Sequence, residues 1–132
     1  MSQLEHLTRV KNNIGDLVEE FVKWRWSTNQ PRFYMRSLHD FIFHRTNTAP
    51  ASPDRILRQL RAQGKINYKV IDRKASCYLL IEGKYQGRAK RVTLLHRGVA
   101  VDHFEATGKR FRLPAHVIDH IFASNDFELE VA

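Results

Sequence analysis

The chain has 132 residues, with 22 Lys+Arg against 14 Asp+Glu, a formal charge of +8 and a pI near 10.0, and 42% of its residues are hydrophobic. That length suits one domain with an extension, and the apolar content supplies a packed core, which excludes a wholly disordered chain. The single cysteine, Cys77, rules out an intramolecular disulfide, no apolar run approaches the ~20 residues that span a bilayer, and the opening Met1-Ser2-Gln3-Leu4-Glu5-His6 lacks the basic-then-apolar pattern of a signal peptide, so a cytoplasmic chain is expected.

Residues 1–30 form the first predicted unit. Leu4, Leu7, Val10, Ile14, Leu17, Val18, Phe21, Val22 and Trp24 share one side of a helical wheel, which predicts an amphipathic helix over 3–26. Asn12, Asn13 and Gly15 interrupt good helix-forming sequence and mark a break or a late start. A helix of ~24 residues is about 36 Å long, comparable with a whole small domain. Its stripe therefore has two available partners, the rest of the monomer or a second copy, and a homodimer seam would centre on Leu17 and Phe21. Ser27-Thr28-Asn29-Gln30-Pro31 ends the helix as a connection.

Residues 31–81 carry the charge excess, with ten Lys+Arg against three acids, whereas residues 1–30 sum to zero. Phe33 and Met35 alternate with polar residues as a short strand does, and Leu38, Phe41 and Ile42 give the core face of a short helix. Thr46 to Ala51 reads as a turn. Ser52 followed by Pro53 opens a second helix over about 53–63, since the Ser hydroxyl can accept from orphan backbone N–H groups and Pro loses nothing at the first helical position. Ile56, Leu57 and Leu60 form its apolar face and Gly64 its left-handed stop. Ile66, Tyr68 and Val70, then the interruption Asp72-Arg73-Lys74-Ala75-Ser76, then Tyr78 to Ile81 predict a hairpin with a charged tip.

Strand, helix, turn, capped helix, glycine and basic-tipped hairpin in this order over residues 33–81 resemble the winged helix-turn-helix DNA-binding domains of bacterial and phage proteins. The run Ser52 to Tyr68 looks like a recognition helix leading into a wing. The resemblance implies that the capped helix enters a major groove, with Arg55, Arg58 and Gln59 in the groove and Arg73 and Lys74 on the wing. The helical wheel agrees, since Asp54, Arg55, Arg58 and Ala62 lie opposite the apolar face, with Gln59 and Arg61 on the flanks. Arginine there can pair with guanine or phosphate, and glutamine can read adenine. The competing reading is a solvated Arg-rich helix face.

Residues 82–132 read as a small α+β extension. Its eight bases all lie between Lys84 and Arg112, and four acids follow them, so the chain ends acidic. Val92 and Leu94, then Val99 and Val101, alternate around His96-Arg97-Gly98 as a second hairpin, and Phe111 and Leu113 add a strand. After Leu113-Pro114, a helix brings Val117, Ile118, Ile121 and Phe122 to one face, and Phe127, Leu129 and Val131 make a last strand. The Lys84-to-Arg91 run either tracks a phosphate backbone, through Lys90 and Arg91, or is a linker.

Motifs for catalysis are weak. Gly83-x-x-x-Gly87 lacks the Lys-Ser/Thr of a phosphate loop. His116 and His120 stand at i, i+4 but nothing fixes a third ligand, so two surface histidines are expected and no metal or other cofactor. Asp102 and His103 fall on opposite faces of a strand, and Cys77 reads as a small buried residue. The expected fold class is α+β, a winged helix-turn-helix with an N-terminal amphipathic helix and the extension. The expected function is non-enzymatic binding of double-stranded DNA in transcription regulation, through Ser52, Arg55, Arg58, Gln59, Arg61, Lys69, Arg73, Lys74, Lys90 and Arg91. The alternatives are a winged-helix scaffold docking on an acidic protein surface and, less supported for want of an aromatic strand motif, RNA binding.

Overall fold

A computed structural model describes residues 3–47, 53–106 and 109–132, with side chains from residue 14 onward. The elements run α1 (Gln3–Ser27), β1 (Arg32–Tyr34), α2 (Met35–Thr46), α3 (Pro53–Ala62), β2 (Asn67–Asp72), β3 (Cys77–Lys84), β4 (Lys90–His96), β5 (Val99–Ala106), β6 (Arg110–Arg112), α4 (Ala115–Ala123) and β7 (Phe127–Val131). The fold is α+β, with four helices and antiparallel sheets among the described residues.

The first sheet is built around β3. β2 lies along one edge of β3, and β1 and β6 share the other edge end to end, with Phe33 opposite Tyr78 and Phe111 opposite Gly83. With partners on both edges and cover on both faces, β3 reads as a near-continuous apolar run, and Leu79, Leu80 and Ile81 are all buried. The second sheet has the order β5-β4-β7 and contributes Val92, Leu94 and Val131 to the core.

Helix α1 supplies Val18, Phe21, Val22 and Trp26, all 0% exposed, to a core shared with α2, α3 and the first sheet. The ring of Phe21 meets Phe33 and Phe41 edge-on at centroid distances of 5.1 and 5.3 Å. Trp26 stacks flat on Phe111, 3.9 Å between centroids, so α1 also holds β6. Gly83 permits this closeness, because a Cβ there would lie 2.5 Å from Val22 Cγ1 and 3.0 Å from the Phe111 ring.

Several boundaries differ from the sequence reading. α1 runs unbroken through Asn12, Asn13 and Gly15, since its packed C-terminal half anchors the rest. Trp26, rather than Trp24, is the core residue, and Trp24 is 45% exposed while resting on Phe41. Met35 opens α2 instead of continuing the strand. The expected unit boundary after residue 81 falls inside β3, whose last three residues, Glu82, Gly83 and Lys84, pair with β6. Phe122 points outward at 49% exposure, leaving Val117 and Ile121 as the buried face of α4.

The expected dimer seam loses one of its two central residues. Phe21 is fully buried within its own chain and is closed to a second copy, while Leu17 is half-buried against the same core. The stripe found its partner inside the monomer because α2, α3 and the first sheet together offer enough apolar surface to cover it. Leu4, Leu7 and Val10 lie outside the residues whose side chains are described.

Candidate functional site

Helix α3 is held by Leu57 and Leu60, both buried, and this fixes which of its residues look outward. Gly64 at φ +73° ends it, with Lys65 N–H donating to the Leu60 carbonyl at 2.9 Å, so the chain turns directly into β2. The following hairpin is pinned at its tip. Asp72 Oδ1 accepts from the backbone N–H groups of Lys74 and Ala75 at 2.9 and 3.1 Å, an Asx-type turn, and Met35 N–H donates to the Ser76 carbonyl at 2.9 Å. The N-terminus of α2 therefore sets where the hairpin tip stands relative to α3.

Between α3 and the hairpin lies a cleft of about 420 Å³ lined by Met35, Asp54, Arg58, Arg61, Tyr68, Val70, Arg73, Ser76 and Tyr78. Arg58 and Arg61 enter from the helix and Arg73 from the hairpin. Arg58 reaches Asp54 one turn earlier at 3.4 Å, and both side chains are exposed, so this pair is worth only about 0.3–0.5 kcal/mol. The Arg61 guanidinium lies 4.5 Å above the Tyr68 ring, which is itself edge-on to Tyr78 at 5.6 Å. Burial pushes both tyrosine hydroxyls above their ordinary value, with smaller contributions from the charges around them, so both remain protonated donors at neutral pH.

Arg55, Arg58, Gln59 and Ala62 line a shallower concavity on the outward face of α3. The side chains of Arg55 and Gln59 make no hydrogen bond or ion pair among the described residues. Lys74 is exposed at the hairpin tip beside Arg73. Of the ten residues expected at a duplex surface, Arg58, Arg61 and Arg73 share the cleft, and Arg55, Arg58 and Gln59 share the outward concavity of α3. Ser52 lies outside the described residues.

Lys69 departs from expectation. Strand alternation turns it to the face opposite Tyr68, where it is 9% exposed and its ammonium donates to the carbonyls of Ile121 and, at 3.1 Å, Ser124. Burial lowers its pKa from the ordinary lysine value. It closes the C-terminus of α4, whose last carbonyls lack intrahelical partners, and it is removed from any outer surface. Lys90 is similarly engaged, donating to the Ser27 carbonyl at the end of α1 at 3.1 Å, whereas Arg91 is exposed on β4. Neither is adjacent to the helix–hairpin cleft.

A second cluster escaped the sequence reading. His96, Asp102, His116 and His120 line a small cleft with Leu94, Val101 and Phe127, and His116 Nε2 lies 2.8 Å from Asp102 Oδ2. The i, i+4 spacing of the histidines was visible, but the register that brings β5 under α4 was not. That hydrogen bond, helped by the His103 backbone N–H, holds the Asp102 carboxyl below the usual carboxylate range. His103 turns the other way, toward Thr93 at 3.2 Å. Among the described residues no group of three or more His, Cys, Asp or Glu is arranged to hold a metal ion. Cys77 is buried, 3% exposed.

Compared with known proteins, the chain has no significant match to any protein-family model, curated protein or solved structure. No helix among the described residues is long and apolar enough to cross a membrane.

Proposed function

We propose that residues 31–84, capped by α1, form a winged helix-turn-helix module that binds double-stranded DNA without catalysis, as a regulator of transcription in the cytoplasm. One observation carries the reading: cations from α3 and from the β2–β3 tip converge on a single surface, with Arg58, Arg61 and Arg73 lining one cleft. The element order α1-β1-α2-α3-β2-β3 and the sheet order β1-β3-β2 support it. A duplex laid across this surface meets Arg55 and Gln59 on the helix and Arg73 and Lys74 on the hairpin. Arg55 and Gln59 are free to address base edges, whereas the hairpin cations address phosphates.

Binding of the full chain to a labelled duplex pool over a series of salt concentrations tests the reading. The log of the affinity should fall linearly with log salt, and Arg73→Ala with Lys74→Ala should flatten that slope by about one to two units. Arg55→Ala should instead change which sequences are retained from the pool. Salt-independent binding, or none at physiological ionic strength, would remove the DNA assignment.

A further inference from the structure

The cleft between α3 and the hairpin has features that an open, solvated arginine face lacks. It is concave, and its three guanidinium groups come from two separate elements, so the cationic charge is focused on one volume. It also contains an unused donor. Tyr68 lines the cleft with its ring buried, and its hydroxyl, which is not sealed from solvent, has no hydrogen-bond partner among the described residues. The Tyr78 hydroxyl is likewise without a partner among the described residues. Asp54 is the one carboxylate on the rim, and it is already engaged by Arg58.

We propose that this cleft is a seat for a single phosphate group, held by the charges of Arg58, Arg61 and Arg73 and by a hydrogen bond from the Tyr68 hydroxyl. A tetrahedral oxyanion satisfies what the site offers, since guanidinium forks and phenolic O–H groups are donors and a phosphate accepts on every face. The Tyr68 ring fixes Arg61 from below, so one guanidinium is placed before the anion arrives. Met35 and Val70 add apolar lining to the cleft. The phosphate has two possible sources, a phosphodiester of a duplex lying across α3 or a phosphomonoester on a free small molecule. The inference shares a surface with the duplex reading but does not require it.

The test uses the full chain and two probes, phenyl phosphate and a labelled duplex. Phenyl phosphate titrated into ¹⁵N-labelled protein should shift the amides of Arg61, Arg73 and Ser76 and the side-chain Nε–H signals of Arg58 and Arg61. Tyr68→Phe keeps the ring under Arg61 and removes only the hydroxyl, and it should weaken that binding about three- to tenfold, the range of one hydrogen bond. Arg61→Gln should weaken it further, and unchanged thermal unfolding of Tyr68→Phe would show that the loss is local. If the duplex displaces phenyl phosphate, or Tyr68→Phe weakens the duplex by the same factor, the source is the DNA backbone. If phenyl phosphate binds in the cleft while the duplex neither binds nor competes, the source is a free phosphorylated ligand, and the DNA reading fails while the seat stands. If phenyl phosphate leaves the cleft signals unmoved and Tyr68→Phe binds duplex as the parent does, the seat is overturned, whatever the duplex affinity.

Discussion

At the level of single residues, the structure depends on positions that composition hides. Gly83 lies on β3 directly beneath Val22 of α1, and adding one methyl drives it into Val22 Cγ1 at 2.5 Å. Gly83→Ala is expected to lower stability by about 1–3 kcal/mol, the range for overpacking a close-packed core, in urea unfolding. Val22→Ala should recover part of the loss when combined with it, since the two changes share one contact. A second residue-scale expectation concerns Asp102 and His116. The folded carboxyl titrates below its ordinary value of 3.8, so its contribution to stability is complete above that pH and is lost as pH falls through the lower folded value. Asp102→Asn should therefore narrow the difference between stability at pH 6 and at pH 3, read by thermal unfolding at both. An identical pH dependence in the two proteins would remove the pair from the acid limb.

At the level of elements, legibility followed periodicity. The helix–glycine–hairpin order was readable because Ile56, Leu57 and Leu60 repeat at helical spacing, Gly64 stops the helix, and Ile66, Tyr68 and Val70 alternate. What those patterns do not contain is which element covers which face. Lys69 illustrates this. Its alternation with Tyr68 was visible, yet only the arrival of α4, about fifty residues later, makes it a buried cap rather than a surface cation. Likewise the apolar stripe of α1 was legible, but the burial of Phe21 within the monomer follows from the combined surface of α2 and β1. Lys69→Met keeps most of the stem and deletes the ammonium. It should cost about 1–3 kcal/mol through the stranded carbonyls at the end of α4, measured by urea unfolding, and should leave the salt slope of duplex binding unchanged.

At the scale of the whole molecule, the two sheets are not independent. β6, which follows the second sheet's first hairpin in the chain, completes the edge of β3, Trp26 stacks on it, and Lys69 ties β2 to α4. Unfolding is therefore expected to be a single transition. Tryptophan fluorescence, which reports α1 through Trp24 and Trp26, and the NMR signals of the His96 and His120 rings, which report the second sheet beside Phe127, should lose their native values at the same urea concentration. Two separated midpoints would show that the extension is a separate folding unit.

Cys77 begins β3, opposite Tyr34 of β1 and Asp72 of β2, and it is the chain's one thiol. At 3% exposure it is closed to an aqueous thiol reagent in the native state, so modification must wait for β1, the hairpin tip and β3 to separate. When reclosing is faster than the reaction, the observed labelling rate is the intrinsic thiolate rate multiplied by the population of the opened form. The native sequence thus carries its own gauge of how often the hairpin beside the cleft breathes. Comparing labelling with and without a phosphorylated ligand or duplex would convert occupancy of that cleft into a protection factor, with no substitution in the chain.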